Sequence, residues 1–237
     1  AQPLLAAMAD DFGIRPAAIG VVVTVTQIGY ASGLLFIVPL GDLLDRRRLI
    51  VGQGLLSSAA LLIVAFAPTS GVLLAGMLAV GLLAVVVQIL VAFAASLASE
   101  DERGRVVGAV TSGIVLGILL ARFVSGVLAD LGGWRAVYLA SAALTLLMAG
   151  VLARVLPKHT KPLDPPSYPS LLRSVFVLFM EEPLLRVRAG FALLIFATFS
   201  ILWTSMVLPL SAPPFSLSHA EVGAFGLAGV AGALRRK

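Results

Sequence analysis

The chain has 237 residues, of which 59% are hydrophobic and 12% are charged, and its net charge is +5. Soluble domains carry about 25% charged residues, so this composition excludes a water-soluble globular fold and indicates that lipid is the solvent of the protein. There is no cysteine, which excludes disulfides, thiolate metal sites and cysteine nucleophiles.

Six apolar segments are each long enough to cross a bilayer as a helix, which requires about 20 residues. Their apolar character is continuous and does not alternate, so we predict an all-α integral membrane protein and not a barrel. A seventh segment begins near Val222 and ends after Leu234, which is too short for a span. The six predicted spans are 19–40, 49–67, 72–98, 106–129, 136–156 and 187–210.

The first two predicted spans are joined by a short charged segment, residues 41–48, which we call the charged hairpin. It contains one glycine, two aspartates and three arginines. A connection this short between two membrane-length segments makes them antiparallel neighbours.

Lysines and arginines are distributed unequally between the two sets of loops. Eleven lie in one set, whereas the opposite set holds only Arg15 and Arg135. The positive-inside rule therefore predicts that the rich set is cytoplasmic. Because these residues are scattered and not gathered on one soluble face, nucleic acid is not predicted as a partner. The eleven are Arg46, Arg47, Arg48, Arg103, Arg105, Arg154, Lys158, Lys161, Arg173, Arg186 and Arg188.

One long connection separates the fifth and sixth predicted spans. Its first half is polar and rich in proline, which is typical of a stiff linker. Its second part, 171–180, is apolar and is predicted to be a helix lying on the cytoplasmic face; an ordinary loop is the alternative. We therefore divide the chain into an N-terminal helical bundle (1–156), a cytoplasmic linker between bundles (157–185) and the start of a C-terminal bundle (186–237).

Residues 12–20 and 215–223 are similar to each other, and both precede a glycine-containing apolar segment. Phenylalanine, alanine and glycine are identical at matched positions, and two aliphatic positions are conservative. Chance similarity between two loops is one explanation, and duplication of a helical half is the other. Under duplication, 1–9 is the tail of a first helix, and the chain is a fragment that covers about helices 2–7 plus parts of helices 1 and 8.

Neither a metal site nor an enzyme is predicted. The two histidines, His159 and His219, both lie between spans. No cluster of nucleophile, base or metal ligands is visible at membrane depth, and no cofactor is predicted.

Several motifs resemble the major facilitator superfamily. In the charged hairpin, Gly41, Leu43, Asp45 and Arg46 match the pattern Gly-x-Leu-x-Asp-Arg, although a later glycine of that pattern is absent. Residues 102–105 are similar to the Glu-Arg-x-Gly-Arg stretch of the family, one residue shorter, and 133–138 match the end of its fifth helix. The chain most resembles the sugar or arabinose efflux permease branch, which implies the major facilitator fold.

The resemblance implies a gating role for the charged hairpin, at Gly41, Asp45, Arg46 and Arg48. A carboxylate at a helix end can pair with a basic residue or with the positive end of a helix dipole, and such a contact would hold the cytoplasmic side closed in one state. The alternative is that these charges only set topology. The resemblance also implies that the glycines of the fifth helix, Gly113, Gly117 and Gly126, serve helix packing.

Polar and aromatic side chains inside the spans are candidates for a substrate cavity. Gln27 and Gln88 can hydrogen-bond substrate or join helices to each other. Arg122, the one charge well inside a span, faces a cavity or extends to the outer interface. Tyr30 and Trp203 line the same cavity or pack against lipid.

The resemblance implies a multi-pass transporter of the bacterial inner membrane that exports a sugar or drug-like small molecule by alternating access. It also implies proton coupling, although no Asp or Glu lies at mid-depth in a complete span and Met77 stands where the family often has arginine. The small molecule, protons and the lipid bilayer are thus the expected partners. A truncated, non-transporting fragment and an uptake carrier of the same fold remain as alternatives.

Overall fold

The computed structural model describes residues 4–15, 19–157 and 167–211, together with residues 215, 217 and 221. Regular structure in this part of the chain is helical. A 3-10 helix, Val38–Asp42, follows α2. The α-helices are α1 (Leu5–Phe12), α2 (Gly20–Phe36), α3 (Arg46–Ala65), α4 (Ser70–Leu83), α5 (Val86–Leu97), α6 (Glu100–Val155), α7 (Tyr168–Glu181) and α8 (Pro183–Ser211).

Among the described residues, five helical segments are long and apolar enough to cross a membrane. This confirms the prediction of an all-helical membrane protein. The five are Gly20–Asp42, Arg46–Ala65, Ser70–Leu97, Glu100–Val155 and Pro183–Leu202. The second copy of the predicted repeat lies mostly outside the described residues, and so does the segment that begins at Val222.

The fourth and fifth predicted spans, 106–129 and 136–156, lie on the two arms of α6, on either side of a kink. The backbone leaves the helical conformation at Gly132 and Gly133, where the chain is kinked. Gly133 has a φ of 72°, which favours glycine because a Cβ is strained there. The two arms, 100–131 and 134–155, each exceed the roughly 20 residues that a bilayer requires.

Two other boundaries differ from the predicted ones. The third span consists of α4 and α5, which are separated at residues 84–85. Helix α8 begins at Pro183, slightly before the predicted start of the C-terminal bundle. Proline suits the first turn of a helix, and the residue before a proline avoids the helical conformation, as the extended Glu182 shows.

Glycines allow α2 and α4 to approach each other closely. A Cβ added at Gly29, Gly33 or Gly81 would overlap a backbone carbonyl oxygen of the facing helix. Gly29 and Gly33 are four residues apart, the spacing of small residues at membrane helix contacts. The packing of these two helices therefore depends on the absence of side chains.

The glycines of α6 to which the resemblance assigns helix packing differ from the glycines between α2 and α4. Gly113 and Gly117 are exposed, and no atom of the described residues lies within 4 Å of a Cβ added at either position. Gly126 is buried. Their proposed role in helix packing stays a prediction.

The second arm of α6 packs against α3. Gly54 faces Ala149 so closely that an added Cβ would lie 2.8 Å from the alanine Cβ. The hydroxyl of Ser58 is buried and donates to the carbonyl of Ala142 at 3.0 Å. Small and hydroxyl side chains thus bring these two helices together, as is usual where lipid leaves no hydrophobic gain between helices.

One end of the bundle is closed by an aromatic and ionic cluster between α1 and α6. The carboxylate of Asp11 accepts a hydrogen bond from Trp134 Nε1 at 3.2 Å and forms an ion pair with Arg135. The guanidinium of Arg135 also lies 4.5 Å from the centre of the Trp134 ring, within the range of a cation–π contact. Beneath it, the buried hydroxyl of Tyr138 donates to the sulfur of Met77 at 3.5 Å.

Gln53 of α3 is the buried side chain with the least favourable surroundings in the described bundle. It is 3% exposed, and neither its amide nitrogen nor its amide oxygen has a hydrogen-bond partner there. A buried polar group without a partner loses its hydration without compensation. Such a position costs stability, and an apolar side chain of similar shape should remove the cost.

We expect Gln53→Met to raise the free energy of unfolding by about 1–2 kcal/mol, because methionine fills a similar volume without the amide. Thermal unfolding of the purified protein in detergent measures this effect. Gln53→Glu is the control and should lower stability, since it adds a charge at the same place. A loss of stability in Gln53→Met would contradict the absence of a partner.

Candidate functional site: the charged hairpin and the polar side chains of the bundle

A proline changes the course of α2 just before the charged hairpin. Because Pro39 has no N–H, the helix tightens into the 3-10 form, and the N–H of Leu40 donates to Ile37 at 3.0 Å. In a continued α-helix the N–H of Leu40 would have donated to the carbonyl of Phe36. That carbonyl instead accepts a hydrogen bond from the hydroxyl of Tyr168, at the start of α7, at 2.8 Å.

Arg46 is the centre of the charged hairpin. Its Nε donates to the carbonyl of Gly41 at 2.9 Å, and one terminal nitrogen pairs with Asp42 at 2.9 Å. The other terminal nitrogen donates to the hydroxyl of Ser96 on α5 at 3.1 Å. The Arg46 side chain is 18% exposed, whereas that of Asp42 is 60% exposed. Arg46 therefore closes the hairpin and joins it to α5.

Asp45 is the N-cap of α3. Its carboxylate accepts a hydrogen bond from the backbone N–H of Arg48 at 3.2 Å, which satisfies one of the free amides of the first turn. The side chain of Arg48 is exposed. The structure thus brings Gly41 and Arg46 together and gives Asp45 a capping role. Contact between the hairpin and a second bundle stays a prediction.

Arginines also join the other helix ends on the side predicted to be cytoplasmic. The guanidinium of Arg47 donates to the carbonyl of Ala153 on the second arm of α6. Arg103, near the start of α6, donates to the carbonyl of Ala95 on α5 at 3.3 Å. The basic residues that predict topology therefore also hold helix ends in register.

Two candidates for the substrate cavity lie in contact. The amide nitrogen of Gln88 donates to the hydroxyl of Tyr30 at 3.1 Å, so the pair joins α5 to α2. Tyr30 is half-buried and Gln88 is exposed. Gln88 therefore joins helices, and its exposed amide is still accessible from outside the bundle. Gln27 is exposed and has no hydrogen bond with the described residues.

Arg122 lies on α6 and Trp203 on α8, but their side chains are outside the described part of the structure. The interpretations offered for them stay predictions. Sequence reasoning missed Ser96 and Tyr168, because nothing in their neighbourhood marks a hydroxyl as the partner of a distant helix. The pair of glycines at 29 and 33 is a visible signal in the sequence for the close contact of α2 with another helix.

Comparisons with known proteins agree with this architecture. A family model described as Major Facilitator Superfamily matches residues 1–236. The uncharacterized transporter YgaY of Escherichia coli O157:H7 is 52% identical over 223 residues, which are 94% of this chain and 56% of YgaY. The probable transporter SCO4007 of Streptomyces coelicolor is 35% identical over 98% of this chain and 54% of its own length.

A more distant relative carries a more specific name. The purine ribonucleoside efflux pump NepI of Salmonella paratyphi B is 32% identical over 162 residues, which are 65% of this chain and 39% of NepI. The chain spans about half the length of the first two relatives. The family model covers nearly every residue, and the chain belongs to the Major Facilitator Superfamily.

Proposed function

We propose that this chain is part of a secondary active transporter that exports a small molecule across the bacterial inner membrane by alternating access. The observation that carries the proposal is the charged hairpin, in which Arg46 is fixed by three partners while the charge of Asp45 stays at the first turn of α3. Such a charge can engage a second bundle in one state and release it in the other. The family and the efflux relative support a transport role.

The packing of the first bundle supports movement of whole bundles. Helices α2 and α4 are in glycine-mediated contact, and α3 is held to α6, which supports movement of the packed helices as a unit. By contrast, α7 and the described side chains of α8 are almost entirely exposed. Rocking of one rigid bundle against another around a central site is the usual mechanism of transporters built this way.

The substrate class and the energy source are part of the proposal. NepI is named for purine ribonucleosides, so these join sugars and drug-like compounds as candidate substrates. We propose the proton gradient as the driving force. In the described spans no carboxylate lies at mid-depth, so the proton-carrying group would belong to a segment beyond them or would not be a carboxylate.

The direct test is export from cells that lack their major efflux pumps and express the whole gene. Accumulation of labelled purine ribonucleosides, sugars and drugs is measured with and without a proton uncoupler. Uncoupler-sensitive export of one class supports the proposal. Uncoupler-sensitive accumulation above that of empty cells would indicate uptake instead, and no difference at verified expression would favour a non-transporting fragment.

In the same assay, we expect Asp45→Asn to lower the export rate about tenfold, which corresponds to roughly 1.4 kcal/mol of lost charge interaction. Asparagine caps a helix as well as aspartate does, so the substitution removes the charge and keeps the cap. Asp45→Ala is the control for the cap and should also lower stability by about 1 kcal/mol. Normal export by Asp45→Asn would contradict gating by this charge.

A further inference from the structure

We propose that α7 lies on the membrane surface, with its apolar side in the headgroup and acyl boundary of the leaflet next to the charged hairpin. The hydroxyl of Tyr168 holds the start of the helix against α2. The partner is the lipid bilayer, and the inference does not depend on transport.

The side chains of α7 divide into a polar stripe and a wide apolar face. Ser170, Ser174 and Glu181 are four and seven residues apart, so they follow one side of the helix, which Val177 shares, and Arg173 lies beside this side. The hydroxyls of Ser170 and Ser174 donate to backbone carbonyls of their own helix at 2.8 and 2.7 Å. The apolar face is exposed, at Val175 (46%), Phe176 (59%), Leu178 (53%), Phe179 (45%) and Met180 (68%).

Both ends of α7 are fixed to membrane helices. At its start, the Tyr168 hydroxyl bonds to the Phe36 carbonyl of α2. At its end, only Glu182 separates α7 from α8, and its extended backbone turns the chain there. A helix attached at both ends to spans is expected to run along the membrane.

The depth of these attachments agrees with a surface helix. Phe36 precedes Asp42 by six residues, and with a rise of 1.5–2.0 Å per residue its carbonyl lies about 9–12 Å below the charged hairpin. Amphipathic surface helices are buried about 5–10 Å into the boundary of headgroups and acyl chains. At the other end, Arg186 and Arg188 in the first two turns of α8 place cations at the level of anionic headgroups.

The apolar face of α7 is also continuous with a surface that lipid must cover. Leu184, Val187 and Phe191 on α8 are exposed at 59%, 54% and 64%. Since α8 is apolar enough to cross a membrane, we infer that acyl chains cover these side chains. Lipid at the start of α8 would then also reach the apolar face of α7.

The absence of cysteine makes single labels straightforward. Phe176→Cys on the apolar face and Ser174→Cys on the polar stripe are each labelled with an environment-sensitive fluorophore in nanodiscs that contain anionic lipid. We expect a blue-shifted emission at position 176, quenched best by lipids with a spin label near the ester group. Position 174 should instead be quenched by aqueous iodide.

Three results would overturn the proposal. Equal access of iodide to both positions would place α7 in water. Strongest quenching at position 176 by a label at the end of the acyl chain would mean insertion into the bilayer core. Protection of position 176 from both kinds of quencher would mean that protein, such as a second bundle or a second copy, covers this face.

The role of the hydroxyl is tested with Tyr168→Phe, which keeps the ring. A spin label on Ser170→Cys should become more mobile in this background, while the emission of the label at position 176 stays blue-shifted. An unchanged spin-label spectrum would overturn the attachment of α7 through Tyr168. Loss of the blue shift would show that the hydroxyl, and not the lipid, decides where the helix lies.

Discussion

Gly81→Ala is expected to destabilise the protein by about 3 kcal/mol, at the upper end of the cost of overpacking. The new Cβ would overlap the carbonyl oxygen of Thr26, and a backbone atom cannot move aside as a flexible side chain can. Helices α2 and α4 would have to separate along their contact. The expected result is a lower melting temperature in detergent and a smaller yield of folded protein in the membrane.

The matched control is Gly113→Ala on α6. A Cβ at this position meets no atom of the described residues within 4 Å, and alanine is favoured over glycine inside a helix by about 0.5–1 kcal/mol. We therefore expect the opposite sign, a small gain in stability. Equal effects of the two substitutions would contradict the close contact of α2 and α4.

Arg46→Ala is expected to cost about 2–3 kcal/mol of stability. Its exposed ion pair with Asp42 contributes less than about 1 kcal/mol of this. The larger part comes from the hydrogen bonds to Gly41 and Ser96, since these groups lose a charged donor where the hairpin meets α5. Equilibrium unfolding in detergent, followed by the fluorescence of the two tryptophans, measures the loss.

Two variants test whether the lost hydrogen bonds of Arg46 cause the loss of stability. Arg48→Ala removes an exposed guanidinium from the same turn and should change stability by no more than about 0.5 kcal/mol. Arg46→Lys keeps the charge but not the planar group that reaches three partners, so an intermediate loss is expected. A full rescue by lysine would show that charge alone is needed there.

Much of the architecture was predictable. The thickness of the bilayer sets the length of a span, and the short charged hairpin makes the two spans that it joins neighbours. The break between the two arms of α6 was also predictable, since Gly132 and Gly133 interrupt the helical conformation between the fourth and fifth predicted spans. The division of the third span into α4 and α5 at residues 84–85 was not predicted; no proline marks it, and Gly81 lies three residues before it.

The candidate site was predictable in part. Gly41, Asp45 and Arg46 follow a recognisable pattern, and their proximity follows from a short connection. Their partners did not follow, because the contacts of Arg46 with Ser96 and of Phe36 with Tyr168 join residues 50 and 132 positions apart. Such contacts depend on how helices are arranged in space, which the local pattern of apolar residues does not encode.

The contact between Asp11 and Trp134 has a consequence for synthesis of the protein. Its two residues are 123 positions apart in the chain. At a translation rate of about 5–20 residues per second, Trp134 is made roughly 6–25 s after Asp11. Until then Asp11 on α1 lacks both the hydrogen bond from Trp134 and the ion pair with Arg135. Fixing of α1 against α6 is therefore one of the later events in the assembly of this bundle.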